Sequence, residues 1–178
     1  MMTHLMTHWF FVMLRAAGCA IGLLFPISSA AEPLARPAGE IILTINGVMH
    51  SGNTPEGAIF DLALLESLGT ASFETSTQWT EGVAEFKGVS LHRLLDKIGA
   101  DPRALEVIAI NEYQIEVPAS DAVEGGPILA WQQSGKLLSV REKGPLWLIY
   151  PYDMSAAYRT EKIYARSVWQ VLKINLLP

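Results

Sequence analysis

The chain has 178 residues, half of them hydrophobic, with 13 basic and 18 acidic side chains and a net charge of −5 at pH 7. All 18 acidic residues follow residue 30, whereas one basic residue precedes it, so residues 31–178 carry a charge of about −6. A surface of that sign repels phosphate, and no nucleic-acid partner is expected.

The first 30 residues have the pattern of an export signal. Arg15 precedes an apolar run from Ala16 to Ile27, and small residues follow at the expected cleavage positions. We therefore predict a Sec-type signal peptide over residues 1–30 and an exported, periplasmic protein with no stable membrane anchor after cleavage. A retained anchor is a weaker alternative, because glycines and a proline break the short apolar run. Lipid modification of Cys19 is also weaker, because the residues before it lack the usual leucine and the apolar run continues beyond it.

Cleavage would also remove Cys19, the only cysteine of the chain. The mature protein would then have no disulfide, no thiolate metal ligand and no cysteine nucleophile. Its length suits one domain, which we place at residues 40–178 after a flexible lead-in at residues 31–39 that contains Pro33 and Pro37.

The domain begins with β-rich residues 40–48, which end at an Asn-Gly turn. Residues Asp61 to Leu68 predict a short helix. In the stretch SFETSTQW, period-two alternation predicts a strand with Phe73, Thr75, Thr77 and Trp79 on one face.

The clearest helix is predicted at SLHRLLDKIG, where Ser90 can cap the start and Gly99 the end, with leucines and an isoleucine at helical spacing between them. Two hairpins follow, around Asn111-Glu112 and around Ser134-Gly135.

Two more strands complete the predicted domain. An apolar strand should stop at Pro151 and deliver Tyr152 and Asp153 into a loop. The run from Val168 to Leu176 predicts a final strand in which Leu172, Ile174 and Leu176 share one face. Several short strands with a few short helices indicate an α+β fold with mixed sheets.

Common catalytic and metal motifs are missing from this sequence. After signal cleavage only His50 and His92 remain, and His92 falls on the polar face of the predicted helix. No cluster of His, Cys or carboxylate residues has metal-ligand spacing, and no glycine-rich phosphate loop follows a strand. We assign no catalytic residue and no metal ligand from these patterns.

Aromatic residues are numerous and offer a pocket for an apolar or planar ligand, although strand aromatics more often form plain core. The candidates are Trp79, Trp131, Trp147, Tyr150, Tyr152, Tyr158, Tyr164 and Trp169. Arg159 and Lys162, in a charged segment expected to be a solvated loop, could face an anionic ligand. The candidate pocket comprises Thr75, Ser76, Thr77, Trp79, Tyr152, Asp153, Arg159 and Lys162.

Two motifs, in order, carry a family resemblance. FKGVSLHRLLDKIG (Phe86 to Gly99) and GPLWLIYP (Gly144 to Pro151) are similar to the G-V-x-L-x-x-L-L and G-P-L-R-x-x-x-P patterns of the sulfite oxidase family. The order of the surrounding segments resembles that family's molybdopterin-binding domain over nearly the whole mature chain. The resemblance implies a mixed α+β fold and a pterin cofactor whose molybdenum is bound by one cysteine.

The same resemblance exposes two departures. Its cysteine should lie between the first strand and the G-V-x-L-x-x-L-L helix, where this chain has Thr75, Ser76 and Thr77. Trp147 stands where the family often has an arginine. A neutral hydroxyl lacks the soft, anionic character of a thiolate, so this chain is identified as a cysteine-less exported variant.

Three functions are compatible with these patterns. The first is an exported, non-catalytic domain without cofactor that binds a small ligand or a partner such as the sensor portion of a membrane protein. The second is a molybdopterin-dependent oxidoreductase that holds its cofactor without a cysteine, through Thr75, Ser76 or Thr77 with Arg159 or Lys162. The third is a structural subunit of an exported redox complex, which would expose an apolar patch.

Overall fold

A computed structural model describes residues 34–178, and its architecture is the predicted mixture of strands and short helices. The strands are β1 (Leu43–Asn46), β2 (Gly57–Phe60), β3 (Ala71–Ser76), β4 (Val83–Ser90), β5 (Ala104–Ala109), β6 (Gln114–Pro118), β7 (Ile128–Gln133), β8 (Lys136–Leu137), β9 (Trp147–Ile149) and β10 (Val171–Leu177). The α-helices are α1 (Leu62–Ser67), α2 (Leu91–Ile98) and α3 (Glu161–Arg166). The α+β fold class is confirmed.

The strands form two five-stranded sheets. The first has the order β2-β1-β10-β5-β6, in which β1 pairs with β10 in parallel and the other pairs are antiparallel. The second has the order β3-β4-β7-β8, with β9 also paired to β7. One hydrophobic core draws side chains from both sheets and from the helices, including Leu43, Phe86, Leu94, Trp147 and Ile174. Burying these large side chains supplies the main stabilisation.

Helix α2 forms as the sequence predicts. Ser90 caps it by accepting a hydrogen bond from the backbone N–H of Arg93, and Gly99 ends it with φ +62°, in the left-handed region. Its four apolar side chains are buried and the residues between them are exposed. Both predicted hairpins are also present, as β5–β6 and β7–β8.

The lead-in is hydrogen-bonded to the domain through Asp61, which caps α1. The Asp61 carboxylate accepts bonds from the backbone N–H groups of Leu64, Ala38 and Gly39 at 2.7–2.8 Å. These bonds, led by that from Leu64, lower the pKa of Asp61. The predicted signal peptide lies outside the described residues, and within residues 34–178 no helix has the length and apolarity to span a bilayer.

The structure corrects three local predictions. Strand β3 ends at Ser76, so Thr77 and Trp79 lie beyond it in a turn. The charged segment expected to be a loop contains α3, capped by Thr160. A bulge between Val171 and Lys173 breaks the alternation of β10, and Leu172 is 44% exposed instead of facing the core.

Candidate functional site

The hydroxyls at the end of the edge strand β3 are bonded to one aspartate. Asp153 accepts bonds from the Ser76 backbone N–H at 2.5 Å and from the Ser76 hydroxyl at 2.7 Å. The buried Thr75 hydroxyl accepts the Asp153 backbone N–H at 3.1 Å. We call Thr75, Ser76 and Asp153 the hydroxyl–carboxylate cluster. It joins the end of β3 to the loop that follows β9.

Electrostatics hold the exposed Asp153 carboxylate in its charged form. The bonds from the Ser76 N–H and hydroxyl lower its pKa, and the nearby charge of Arg159 adds to this effect. Because charged-state hydrogen bonds occupy both carboxylate oxygens, the cluster is suited to fixing loop geometry.

The turn after β3 positions Trp79. The Thr77 hydroxyl accepts the backbone N–H of Trp79 at 3.0 Å and lies 2.9 Å from the hydroxyl of Thr80. This turn directs the indole of Trp79 toward other aromatic rings. Its centroid lies 5.7 Å from that of Trp169, 5.9 Å from Tyr164 and 5.8 Å from Trp147.

An open cleft of about 290 Å³ borders this aromatic group. Its aromatic walls are Trp79, Tyr113, Tyr164 and Trp169, and Asn111, Ser167, Ala109, Ala165 and Val168 complete it. None of these lining residues, all within the described part of the chain, carries a charge. We call this space the aromatic cleft. Its chemistry suits a ligand with apolar or π-binding surface rather than an anion.

Buried hydrogen bonds support the cleft from behind. The Tyr152 hydroxyl donates to the Ser167 hydroxyl at 2.5 Å, which donates to the Ile163 carbonyl at 2.8 Å. The Trp147 indole N–H donates to the Ser167 carbonyl at 3.3 Å. Burial is the largest cause of a raised pKa at Tyr152, well above the usual tyrosine range. Ser167, a cleft residue, is thus held on both its side chain and its backbone.

A second polar cluster lies beside this support. Asp121 accepts bonds from the Tyr150 hydroxyl at 2.8 Å and from the Arg166 guanidinium at 2.9 Å. The side chains of Arg166 and Asp121 are only 10% and 15% exposed. Burial, and then the negative charge of Asp121, raise the pKa of Tyr150 far above its ordinary value. We call Tyr150, Asp121 and Arg166 the buried ion cluster.

The residues predicted from sequence separate into three groups. Trp79 and Tyr152 lie in the aromatic group, 6.4 Å apart by ring centroids, and only Trp79 lines the cleft. Thr75, Ser76 and Asp153 form the hydroxyl–carboxylate cluster, and the Thr77 hydroxyl accepts a hydrogen bond within the turn after β3. Arg159 and Lys162 are exposed and do not line the cleft. Their role in a site stays a prediction.

Sequence reasoning missed the cleft residues that a hairpin turn supplies. Asn111 and Tyr113 belong to the turn of the β5–β6 hairpin, which the strand pattern treats only as a connection. The Tyr113 hydroxyl donates to the Ala165 carbonyl at 3.1 Å and so joins that turn to α3. No local motif marks this contact, since the two residues are distant in the chain. Tyr164 and Trp169 were in the wider aromatic set.

The residues at the expected cofactor position do not fit a molybdenum held by a thiolate. Residues 34–178 contain no cysteine, and within them no three His, Cys, Asp or Glu residues could share a metal ion. The hydroxyls of Thr75 and Ser76 already bond to Asp153 or its backbone. Trp147, in the place of the family's arginine, is fully buried against Phe86. These groups offer neither a soft donor nor a cation for a phosphate.

Comparison with known proteins agrees with the fold. The model of the oxidoreductase molybdopterin binding domain matches residues 64–162, more than half of the chain. Among solved structures, the sulfane dehydrogenase SoxCD from Paracoccus pantotrophus is similar with a TM-score of 0.56 and 19% identity, over 76% of this chain. The chain spans only 37% of the SoxCD chain. A search of curated proteins finds no match.

Proposed function

We propose that this chain, which belongs to the family of oxidoreductase molybdopterin binding domains, is an exported, non-catalytic member that binds a small ligand. The observation that carries the proposal is the state of the hydroxyls at the expected ligand position. Thr75 and Ser76 are used in hydrogen bonds that fix Asp153, within the same cluster. The proposal therefore gives this position a structural role in place of metal binding.

The chemistry of the donors supports a non-catalytic role. A threonine or serine hydroxyl is neutral near pH 7 and is a hard oxygen donor, whereas molybdenum in this family is expected on a thiolate. If the Ser76 hydroxyl bound a metal, its hydrogen bond to Asp153 would break, and the charge of that carboxylate would lose one of the bonds that stabilise it. Metal binding here would thus disrupt the loop that holds the site.

Export is the second element of the proposal, and it rests on the sequence of residues 1–30. Related exported proteins carry their cofactor across the membrane in the folded state, which requires a twin-arginine signal. This chain has the single Arg15 before its apolar run. A chain that crosses unfolded would arrive without a pterin, in agreement with the missing thiolate.

The test is metal analysis of the full chain purified from the exported fraction of its native host, grown with molybdate and tungstate. We expect a folded, colourless protein with neither metal. A known molybdenum enzyme from the same culture serves as the control for cofactor supply. Molybdenum or tungsten near one atom per chain, while the control is loaded, would overturn the proposal.

The competing function is a molybdopterin-dependent oxidoreductase without a cysteine ligand, and family membership is what favours it. It predicts that Thr75, Ser76 or Thr77, together with Arg159 or Lys162, approaches the cofactor. Thr77, which is half-buried, is the one of the three hydroxyl residues that does not bond to Asp153. Alanine at Thr77 and at Arg159 would then lower the cofactor content. If the parent protein binds cofactor and the alanine variants hold as much of it, these residues are not its ligands.

The alternative to a small ligand is a protein partner that binds the domain. Trp169, which lines the cleft, and Ile110, which lies between two lining residues in the sequence, have exposed apolar side chains, and the Ile110 backbone N–H bonds to the Gln170 carbonyl. Size-exclusion chromatography of the exported fraction distinguishes the cases. Elution at the size of one chain supports a small-ligand module, whereas stable co-elution with a membrane or redox protein would favour the partner.

A further inference from the structure

Three of the rings that line the aromatic cleft pack against one another. The rings of Tyr164 and Trp169 each stand at 90° to the plane of Trp79, with centroids 5.9 and 5.7 Å away. These are edge-to-face contacts, and the same three rings also border the open cleft. Pockets lined by several aromatic rings are a known means by which proteins recognise quaternary and methylated ammonium groups.

The charges around the cleft favour the same ligand class. No lining residue is basic, and the nearest basic side chain in sequence, Arg166, is bonded to Asp121. A carboxylate or phosphate would lose its hydration here and gain no cation. A bulky organic cation loses little hydration, and the net charge of −5 attracts it over longer distances.

A cation already binds one ring of this aromatic group. The Lys143 ammonium lies 5.4 Å from the ring centroid of Trp147, which itself packs against Trp79. Lys143 does not line the cleft, so it does not fill that space. The contact shows that a π face in this group can accept positive charge, with the strength expected for a partly exposed site.

We propose that the aromatic cleft binds a quaternary or methylated ammonium compound of low molecular weight. This inference rests on the proposed ligand-binding function and names the chemistry of the ligand. A volume of about 290 Å³ has room for a trimethylammonium group with a short substituent. The ammonium would contact Trp79, Tyr164 and Trp169, and Asn111 would supply a polar group near the opening.

The test is a titration of the full mature chain with choline, tetramethylammonium and 3,3-dimethyl-1-butanol, followed by tryptophan fluorescence and by NMR. The butanol has the shape of choline with a carbon in place of the charged nitrogen. We expect saturable binding of both cations and about tenfold weaker binding of the butanol, from the size of a partly desolvated cation–π interaction. Equal binding of choline and the butanol, or no binding of either cation, would overturn the inference.

Variants locate the binding. Trp169→Ala, at a ring that is 37% exposed, should abolish the preference for choline, whereas Trp169→Phe should retain part of it. Ala165→Met, at an exposed lining position, should block the cleft without removing a ring and serves if Trp169→Ala does not fold. Tyr158→Leu, outside the lining, is the matched control and should bind like the parent. Choline binding that survives both Trp169→Ala and Ala165→Met would place the ligand elsewhere.

Failure of this inference is distinct from failure of the proposed function. If neutral planar compounds bind and are blocked by Ala165→Met, the cleft is a ligand site of another class and the binding module stands. If the protein carries stoichiometric molybdenum, the proposed function fails whatever the titration shows.

Discussion

The hydroxyl–carboxylate cluster and the buried ion cluster are each built around one aspartate, at opposite ends of the short segment from Tyr150 to Asp153. Asp153 is exposed and bonds to Ser76, whereas Asp121 is mostly buried and bonds to Tyr150 and Arg166. Breaking a hydrogen bond to Asp121 should therefore cost more stability than breaking one to Asp153. Water can replace a lost partner at Asp153 and cannot easily do so at Asp121.

Removing the carboxylate of Asp121 should have the largest effect on stability. Asp121→Ala leaves the Arg166 guanidinium and the Tyr150 hydroxyl buried without their acceptor, and we expect a loss of about 3–5 kcal/mol in the free energy of unfolding. Urea denaturation of the mature chain measures it. The control is Glu116→Gln, which breaks the exposed Arg103–Glu116 pair and should cost about 0–1 kcal/mol. Similar losses in the two variants would contradict the contrast between buried and exposed pairs.

A smaller loss is expected from Tyr150→Phe. The change removes one bond to the Asp121 carboxylate and leaves its bond to Arg166 in place. A hydrogen bond to a charged acceptor is worth about 1.5–3 kcal/mol, so the urea midpoint should fall less than in Asp121→Ala. An effect as large as that of Asp121→Ala would mean that Arg166 depends on the tyrosine for its position.

Alkaline pH should separate the buried tyrosines from the others. The pKa values of Tyr150 and Tyr152 are raised in the folded state, so the unfolded chain releases these protons first, above about pH 10. Their contribution to stability is complete below that pH, and each should then lose about 1.4 kcal/mol per pH unit as the pH rises. Urea unfolding between pH 9 and 11 measures the slope. Tyr150→Phe should reduce it, and an unchanged slope would contradict the assignment.

The smallest effect is expected at Asp153. Its pKa is lowered in the folded state, so its contribution is present above the ordinary aspartate range and is lost as the pH falls below about 4. Asp153→Asn should lower the urea midpoint at pH 7 only slightly, because water reaches the site, and should remove the equally small loss of stability below about pH 4. If Asp153→Asn lost as much stability at pH 7 as Tyr150→Phe, the loop after β9 would contribute to the stability of the whole domain, contrary to this prediction.

Sequence patterns predicted the elements whose periodicity is set locally. Helix α2 has its apolar spacing and both caps in ten consecutive residues, and the hairpins have compact turns. The bulge in β10 and the end of β3 at Ser76 were missed, because pairing with neighbouring strands decides the first and the hydrogen bond from the Trp79 backbone N–H to the Thr77 hydroxyl decides the second. The alternation of apolar and polar residues cannot predict where the pairing register between two strands shifts.

The candidate site was predicted only in part, for a related reason. Trp79 is a cleft residue, and Thr75, Ser76 and Asp153 do come together, since two strand ends meet there. The contribution of Tyr113 depends on a hairpin turn reaching α3, and no nearby residue indicates this contact. Long-range packing therefore determines the shape of the cleft, whereas local pattern determines which residues are available to it.

The parallel pairing of β1 with β10 has a consequence for the order of folding. Asn46 faces Asn175 across this pair, 129 residues later in the chain, and β10 also separates β1 from β5. The first sheet cannot close until β10 is available to pair with both strands. Until then β1 and β5 lack their shared neighbour and expose unpaired edges, which are sites for chaperone binding and aggregation. The incomplete chain is therefore the state of this domain that is most exposed to aggregation.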